Sequence, residues 1–136
     1  TYMQAAEIFD FELSIATPAG YEPSEAFSQK YKKNINFFNN PMQACQEADV
    51  VVTDVWTSMG QESEKKQREN SFKGFQVDQL MMNQAKADAV FMHCLPAYRG
   101  IEVSSEVIDG SQSVVWSEAE NRLHAQKSLL LYLIED

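Results

Sequence analysis

Two short apolar runs, Val50-Val51-Val52-Thr53-Asp54 and Ala89-Val90-Phe91-Met92, carry almost no polar residue and so show no half-exposed alternation. A strand that is apolar on both faces has to be covered on both. That is the condition of a parallel sheet flanked by helices rather than of an antiparallel sheet with one wet face. Ligands of open α/β sheets bind just beyond the carboxyl ends of the strands. Here the first run leads into Val55-Trp56-Thr57-Ser58-Met59-Gly60 and the second into His93-Cys94-Leu95-Pro96-Ala97-Tyr98-Arg99-Gly100. A carboxylate, hydroxyls, an imidazole and a thiol thus stand where polar chemistry is expected. The residue types alone leave a second reading of His93 and Cys94 open, a satisfied core histidine beside a buried thiol.

The remaining elements fit the same plan. Tyr2 to Phe9 has helical apolar spacing from its first residues, as though a helix had been entered after its start, and the chain is read as a domain excised from a longer one. Phe11 to Ala16 alternates into a strand that stops at the Pro18, Gly20 and Pro23 breakers. Ser24 is expected to cap a helix to about Lys33, and Ile35 to Phe38 to form a short strand. Asn40 before Pro41 makes an N-cap with proline in the first turn, opening a helix to about Ala48. Gln61 to Asn70 is a solvated helix or part of a mobile loop, with Glu62/Lys66 and Glu64/Arg68 at i,i+4 spacing. Asp78 caps a helix through Ala85, and a short helix lies near Ser105 to Ile108. Ser113 to Trp116 reads as a fifth strand, and Ser117 with Glu120 as the capping box of the final helix. Alternation of helices with about five short strands predicts an α/β domain with a Rossmann-like parallel sheet and helices on both faces. The chain lacks Gly-x-Gly-x-x-Gly and any P-loop, so dinucleotide or nucleoside triphosphate binding has no motif support.

Charge and cysteine usage narrow the partners. A net charge of −9 argues against nucleic acid or an anionic membrane, both of which are bound through excess Lys and Arg. Cys45 and Cys94 lie on different elements without metal-ligand spacing, so no disulfide, no metal and no cofactor is expected, and a reducing, cytoplasmic setting fits. Neither a membrane-spanning stretch nor a signal peptide is visible, and the chain reads as soluble. Leu129 to Ile134 is apolar all round, more than a helix lying on one sheet requires. Dimerisation, swapping or disorder is expected from about Ser128.

Taken together, Asp54 to Gly60 (DVWTSMG), HCLP at 93–96 and Glu120-Asn121-Arg122 resemble the C-terminal half of ornithine carbamoyltransferase, in that family's order. The similarity extends over essentially the whole chain, through Thr17-Pro18-Ala19-Gly20-Tyr21-Glu22-Pro23 and Val107-Ile108-Asp109-Gly110. The resemblance implies transfer of a carbamoyl group from carbamoyl phosphate to the δ-amine of ornithine, in a parent enzyme that is a homo-oligomer. It places Asp54 and Cys94 near the amino groups of ornithine, and Ser58 with the backbone of Met59 at the α-amino and α-carboxylate end. The backbone carbonyl of Leu95 receives the carbamoyl amide, and Arg122 reaches a phosphate or carbonyl oxygen. His93 either donates towards the carbonyl oxygen or holds the corner. Trp56 packs the loop or shapes the pocket, Arg99 is a solvent-facing charge, and Trp116 and His124 look structural. Asp54, Cys94 and Arg122 are expected to converge on one cleft edge. The family's Ser-x-Arg-Thr carbamoyl phosphate loop, its His-x-x-Gln segment and an Asn-rich stretch do not occur in this sequence, so residues 1–136 read as the ornithine-binding domain alone, inactive without an N-terminal carbamoyl phosphate domain. The rivals are a carbamoyltransferase for putrescine, acetylornithine or lysine, and a catalytically silent binding module.

Overall fold

The computed structural model describes residues 1–57, 60 and 62–134, with the side chain of Glu62 outside that description. Helix α1 (Tyr2–Phe9) buries Met3 and Ala6 and ends at Asp10, whose φ of 53° turns the chain into β1 (Leu13–Ala16). α2 (Glu25–Lys30) leads to β2 (Ile35–Phe38), and α3 (Pro41–Ala44) to β3 (Val50–Thr53). A 3-10 turn at Glu62–Glu64 runs into α4 (Lys65–Ser71), followed by α5 (Gln79–Met82), β4 (Val90–His93), α6 (Ser105–Ile108) and the long α7 (Val115–Ile134).

Local chemistry explains several of these boundaries. Asn40 Oδ1 accepts from Met42 N at 3.0 Å with Pro41 at the first helical position, and Asp78 Oδ1 accepts from Met81 N at 2.9 Å. Both caps stand where the sequence places them, although the helices they open are shorter than expected. The Glu64–Arg68 pair forms at 3.0 Å, whereas the Glu62/Lys66 pair lies outside the described side chains. Ser24 opens α2 without a side-chain cap bond, and that helix stops at Lys30 rather than Lys33.

The α/β class and the parallel pairing hold, in two pairs. β1 lies parallel to β2 with Leu13 opposite Ile35, and β3 parallel to β4 with Val50 opposite Val90 and Thr53 opposite His93. The expected fifth strand does not form among the described residues. Phe91 N donates to Gln112 O and Val114 N to Phe91 O, so this segment adds one parallel bridge at Ser113, and the helix is under way by Val115. A helix that starts at Val115 has no place for a Ser117 cap. Val115 is buried and Trp116 is 69% exposed, so Val114-Val115-Trp116 is a helix entrance rather than a strand, and Trp116 is not a core residue.

The core gathers on β3 and β4. Cys45, Val51, Val77, Met81, Met82, Phe91, Val103, Val107, Ile108 and Val115 form one cluster, with Phe91 fully enclosed. α7 contributes only Val115 to it. The helix continues to Ile134, with Leu129 to Ile134 all exposed, so the apolar excess noted in the sequence is ordered as helix and lacks a covering within the described chain. No helix among the described residues is long and apolar enough to cross a membrane. Phe91→Ala should therefore cost about 3–5 kcal/mol in urea unfolding, while Leu130→Lys should change stability by less than about 0.5 kcal/mol.

Candidate functional site

Thr53 and His93 face each other at the last rung of the β3–β4 ladder, so the residues that follow, Asp54 and Cys94, leave the sheet side by side. Cys94 Sγ donates to Asp54 Oδ1 at 3.2 Å, and the same oxygen accepts from Val55 N at 2.7 Å. Both side chains are exposed to solvent at the carboxyl edge of the pair. The thiol titrates above its ordinary range. Partial burial is the first cause, followed by the hydrogen bond to Asp54 and the negative charges of Asp54 and Glu118, opposed by a backbone hydrogen bond. Cys94 is therefore held as a neutral thiol donor beside a carboxylate acceptor.

The corner behind this pair is built from buried polar groups. His93 and Glu102 are both fully enclosed. His93 Nδ1 accepts from Leu95 N at 2.9 Å, which requires that nitrogen to be unprotonated and leaves the ring proton on Nε2. Nε2 lies 3.3 Å from Glu102 Oε1, close but without hydrogen-bond alignment, and Glu102 Oε1 accepts from Tyr98 N at 2.6 Å. Leu95 has a φ of 53°, in the left-handed region, and is followed by a cis peptide to Pro96. Of the two roles left open for His93, its position matches the one that holds the corner, because an enclosed ring with Nδ1 engaged has no face towards a substrate.

Glu118 joins the site from α7. Its Oε2 accepts from His93 N at 2.9 Å, which tethers the first turns of the helix to the end of β4. Tyr2 at the start of α1 belongs to the same neighbourhood: its hydroxyl titrates above the ordinary range through burial first, then through the charges of Glu118, Cys94 and Asp54. None of Glu118, Glu102 or Tyr2 was singled out from the sequence. Only Glu102 left a trace there, as a lone acid between Ile101 and Val103.

The other expected residues divide. Arg122 is exposed, one helical turn beyond Glu118 on the same face of α7, and among the described residues it makes no hydrogen bond or ion pair. It does not touch Asp54 or Cys94, so the expected convergence of three groups is met by two of them. Ser58 and Met59 lie outside the described residues. Trp56 stacks on Phe72 with ring centroids 5.6 Å apart, within a cluster that includes Tyr21 and Phe75, and it also lines a cavity beside Asp54, so it packs the loop and shapes the space next to the site. Arg99 grips Asp109 with two bonds of 2.9 and 2.7 Å on the surface. His124 is exposed on α7.

Ligand atoms of Asp54, His93 and Cys94 lie within 4.8 Å of one another, close enough to surround a metal ion. Binding one would require the thiol to ionise and Nδ1 to release Leu95 N, and the surroundings favour neither. The arrangement instead suits a positively charged amine. Two carboxylates and a neutral thiol surround an open strand edge, and no described lysine or arginine is paired with them.

Parallel strands that end side by side in a carboxylate and a thiol define an α/β domain with its polar groups at the carboxyl edge of the sheet. Residues 1–133 match the family model described as aspartate/ornithine carbamoyltransferase, Asp/Orn binding domain, and the chain belongs to that family. It is 60% identical over 134 residues to an ornithine carbamoyltransferase of Ruthia magnifica subsp. Calyptogena magnifica, covering 98% of this chain and 45% of the relative. A counterpart from Nitrosococcus oceani is 58% identical over 134 residues, covering 98% and 44%. The crystal structure of ornithine carbamoyltransferase from Burkholderia thailandensis superposes with a TM-score of 0.87 at 46% identity, covering 98% of this chain and 42% of that one. The chain thus spans less than half the length of the relatives it matches.

Because Asp54 contributes both a hydrogen bond and a charge to the raised thiol pKa, Asp54→Asn should lower it. Alkylation of Cys94 by iodoacetamide at pH 8 is expected to be several-fold faster in that variant, read as peptide mass against the buried Cys45.

Proposed function

We propose that residues 1–136 form the ornithine-binding domain of an ornithine carbamoyltransferase, whose parent enzyme moves a carbamoyl group from carbamoyl phosphate to the δ-amine of ornithine, giving citrulline and phosphate. The observation that carries this reading is the Asp54–Cys94 hydrogen bond at the shared edge of β3 and β4, in acidic surroundings where no described lysine or arginine is paired with either group. The names of the relatives support ornithine as the amine.

An alkyl ammonium has a pKa of about 10.4, so the δ-nitrogen arrives protonated and loses one proton to solvent water before it attacks. Asp54 attracts the ammonium and orients it, and Cys94, kept as a thiol, offers a neutral polar contact beside it. Attack by the free amine forms the new C–N bond at the carbamoyl carbon, the C–O bond to phosphate breaks, and the second amine proton leaves with the phosphate. The uncharged thiol and partial desolvation favour the free amine, opposing the carboxylate of Asp54, which favours the ammonium. In this reading Leu95 presents its backbone carbonyl to the carbamoyl amide. The His93 bond to Leu95 N and the Glu102 bond to Tyr98 N keep that carbonyl in place. Ser58 and Met59 hold the α-amino and α-carboxylate end. Arg122, on the Glu118 face of α7, supplies forked donors to the carbonyl or phosphate oxygens once carbamoyl phosphate is present. Carbamoyl phosphate is bound mainly by a separate N-terminal domain, the parent enzyme is a homo-oligomer, and the reaction is cytoplasmic.

Three measurements test the assignment. The 136-residue polypeptide should form no citrulline, and turnover that survives removal of contaminants would refute the division of labour. In the full-length enzyme, Asp54→Asn and Cys94→Ala should each lower kcat/KM for ornithine by at least about a hundredfold. Titration calorimetry on the full-length protein should show ornithine binding more tightly than putrescine or acetylornithine. The reverse order would move the substrate to another amine.

A further inference from the structure

β4 has a neighbour on each side, and its successive backbone amides alternate between them. Val90 N donates to Asp49 O on the β3 side. On the other side Phe91 N donates to Gln112 O at 2.8 Å and Val114 N to Phe91 O at 3.0 Å, the two bonds of the parallel bridge between Phe91 and Ser113. Bonds in a parallel ladder are evenly spaced, so the next one would run from His93 N to Val114 O. That carbonyl is already taken, because α7 has begun and Glu118 N donates to Val114 O at 2.9 Å. His93 is fully enclosed, and a buried amide needs an acceptor. Glu118 Oε2 supplies it at 2.9 Å, from the same residue whose amide removed the backbone acceptor. The ladder gains one more rung, made by a side chain.

We infer that Glu118 is a positioning residue, whose side-chain rung sets the start of α7 against the end of β4 and so holds Arg122 in register with Cys94. Arg122 follows Glu118 by four residues, about 6 Å further along the same face of the helix. Cys94 is the residue after His93 on the strand. One hydrogen bond therefore joins the two elements next to both groups. The bridge at Ser113 anchors the helix entrance at a single place, about which the helix axis can still swing, and the Glu118 bond adds a second anchor that fixes its direction. Packing does little of this work, because α7 buries only Val115 among the described residues. Nor is Arg122 held by a bond of its own, so its place is set by its helix. The Glu118 carboxylate is close enough to Cys94 to add, after burial and Asp54, to the raised pKa of the thiol. The inference rests on the roles given to Arg122 and Cys94 in the proposed function.

The test uses the full-length enzyme and two variants that separate reach from charge. Glu118→Gln keeps an acceptor oxygen at the same distance and loses the charge, whereas Glu118→Asp keeps the charge and is one methylene too short for His93 N. Glu118→Gln should hold kcat for citrulline formation within about threefold of the unsubstituted enzyme, and Glu118→Asp should lower it at least about tenfold. Hydrogen exchange at the His93 amide should quicken about tenfold in the Asp variant and stay slow in the Gln variant. In an Arg122→Ala background the Asp substitution should cost less than about twofold more, because the two residues act as a unit. The inference is overturned if Gln loses as much activity as Asp or more, if both match the unsubstituted enzyme, or if Asp adds its full loss on top of Arg122→Ala. An Arg122→Ala enzyme with unchanged kcat would instead refute the role given to Arg122, and its positioning would fall with it.

Discussion

The register of β3 against β4 is the constraint on which the candidate site depends. With Thr53 opposite His93, two strands far apart in sequence end at the same level, and the next residue of each is delivered to the same edge. A slip of one residue would reverse the faces of every side chain on one strand, separating the Cys94 thiol from the Asp54 carboxylate. Burial of Phe91, its two bonds to the 112–114 segment and the bond from Val90 N to Asp49 O on the β3 side fix β4. The energetic weight of the site therefore lies in the core beneath it, while the reactive pair itself remains in solvent.

Beyond the strands, the chain turns through a conformation that has to be held. Leu95 sits at a φ of 53°, which costs a residue with a Cβ about 1–2 kcal/mol. The bond from Leu95 N to His93 Nδ1 offsets part of that cost, and Glu102 ties the following residues down through Tyr98 N. Glu118 then links the helix entrance to the same corner through His93 N. Three buried or half-buried polar side chains thus position a backbone that the exposed Asp54 and Cys94 cannot position themselves.

Much of this was legible in the sequence where the governing interactions are local. Continuous apolar runs gave β2, β3 and β4 nearly to the residue, and the Asn40 and Asp78 caps were readable because each bonds a backbone amide two or three residues away. The Asp54 and Cys94 pairing followed from strand ends plus family likeness. The fifth strand was misplaced because Val114-Val115-Trp116 has strand composition, yet one bridge at Ser113 is all the sheet accepts before the helix starts. The roles of Glu118 and Glu102 were not readable for another reason. Their partners are backbone amides of His93 and Tyr98, set by tertiary packing that no spacing rule records. The exposed tip of α7 is apolar surface that no described residue covers, and the sequence alone does not tell which face of an all-apolar stretch stays bare.

Adjacency of residues 54 and 94 can be measured without substrate. In an Asp54→Cys variant the two cysteines would sit at neighbouring parallel strand ends, within the span a disulfide bridges. Mild oxidation should then join positions 54 and 94, detected as the loss of two hydrogens in the intact mass and a cross-linked peptide, with Cys45 remaining free. Two thiols at 54 and 94 that stay reduced, or that pair only between molecules, would show that the strand ends do not meet and would contradict the site.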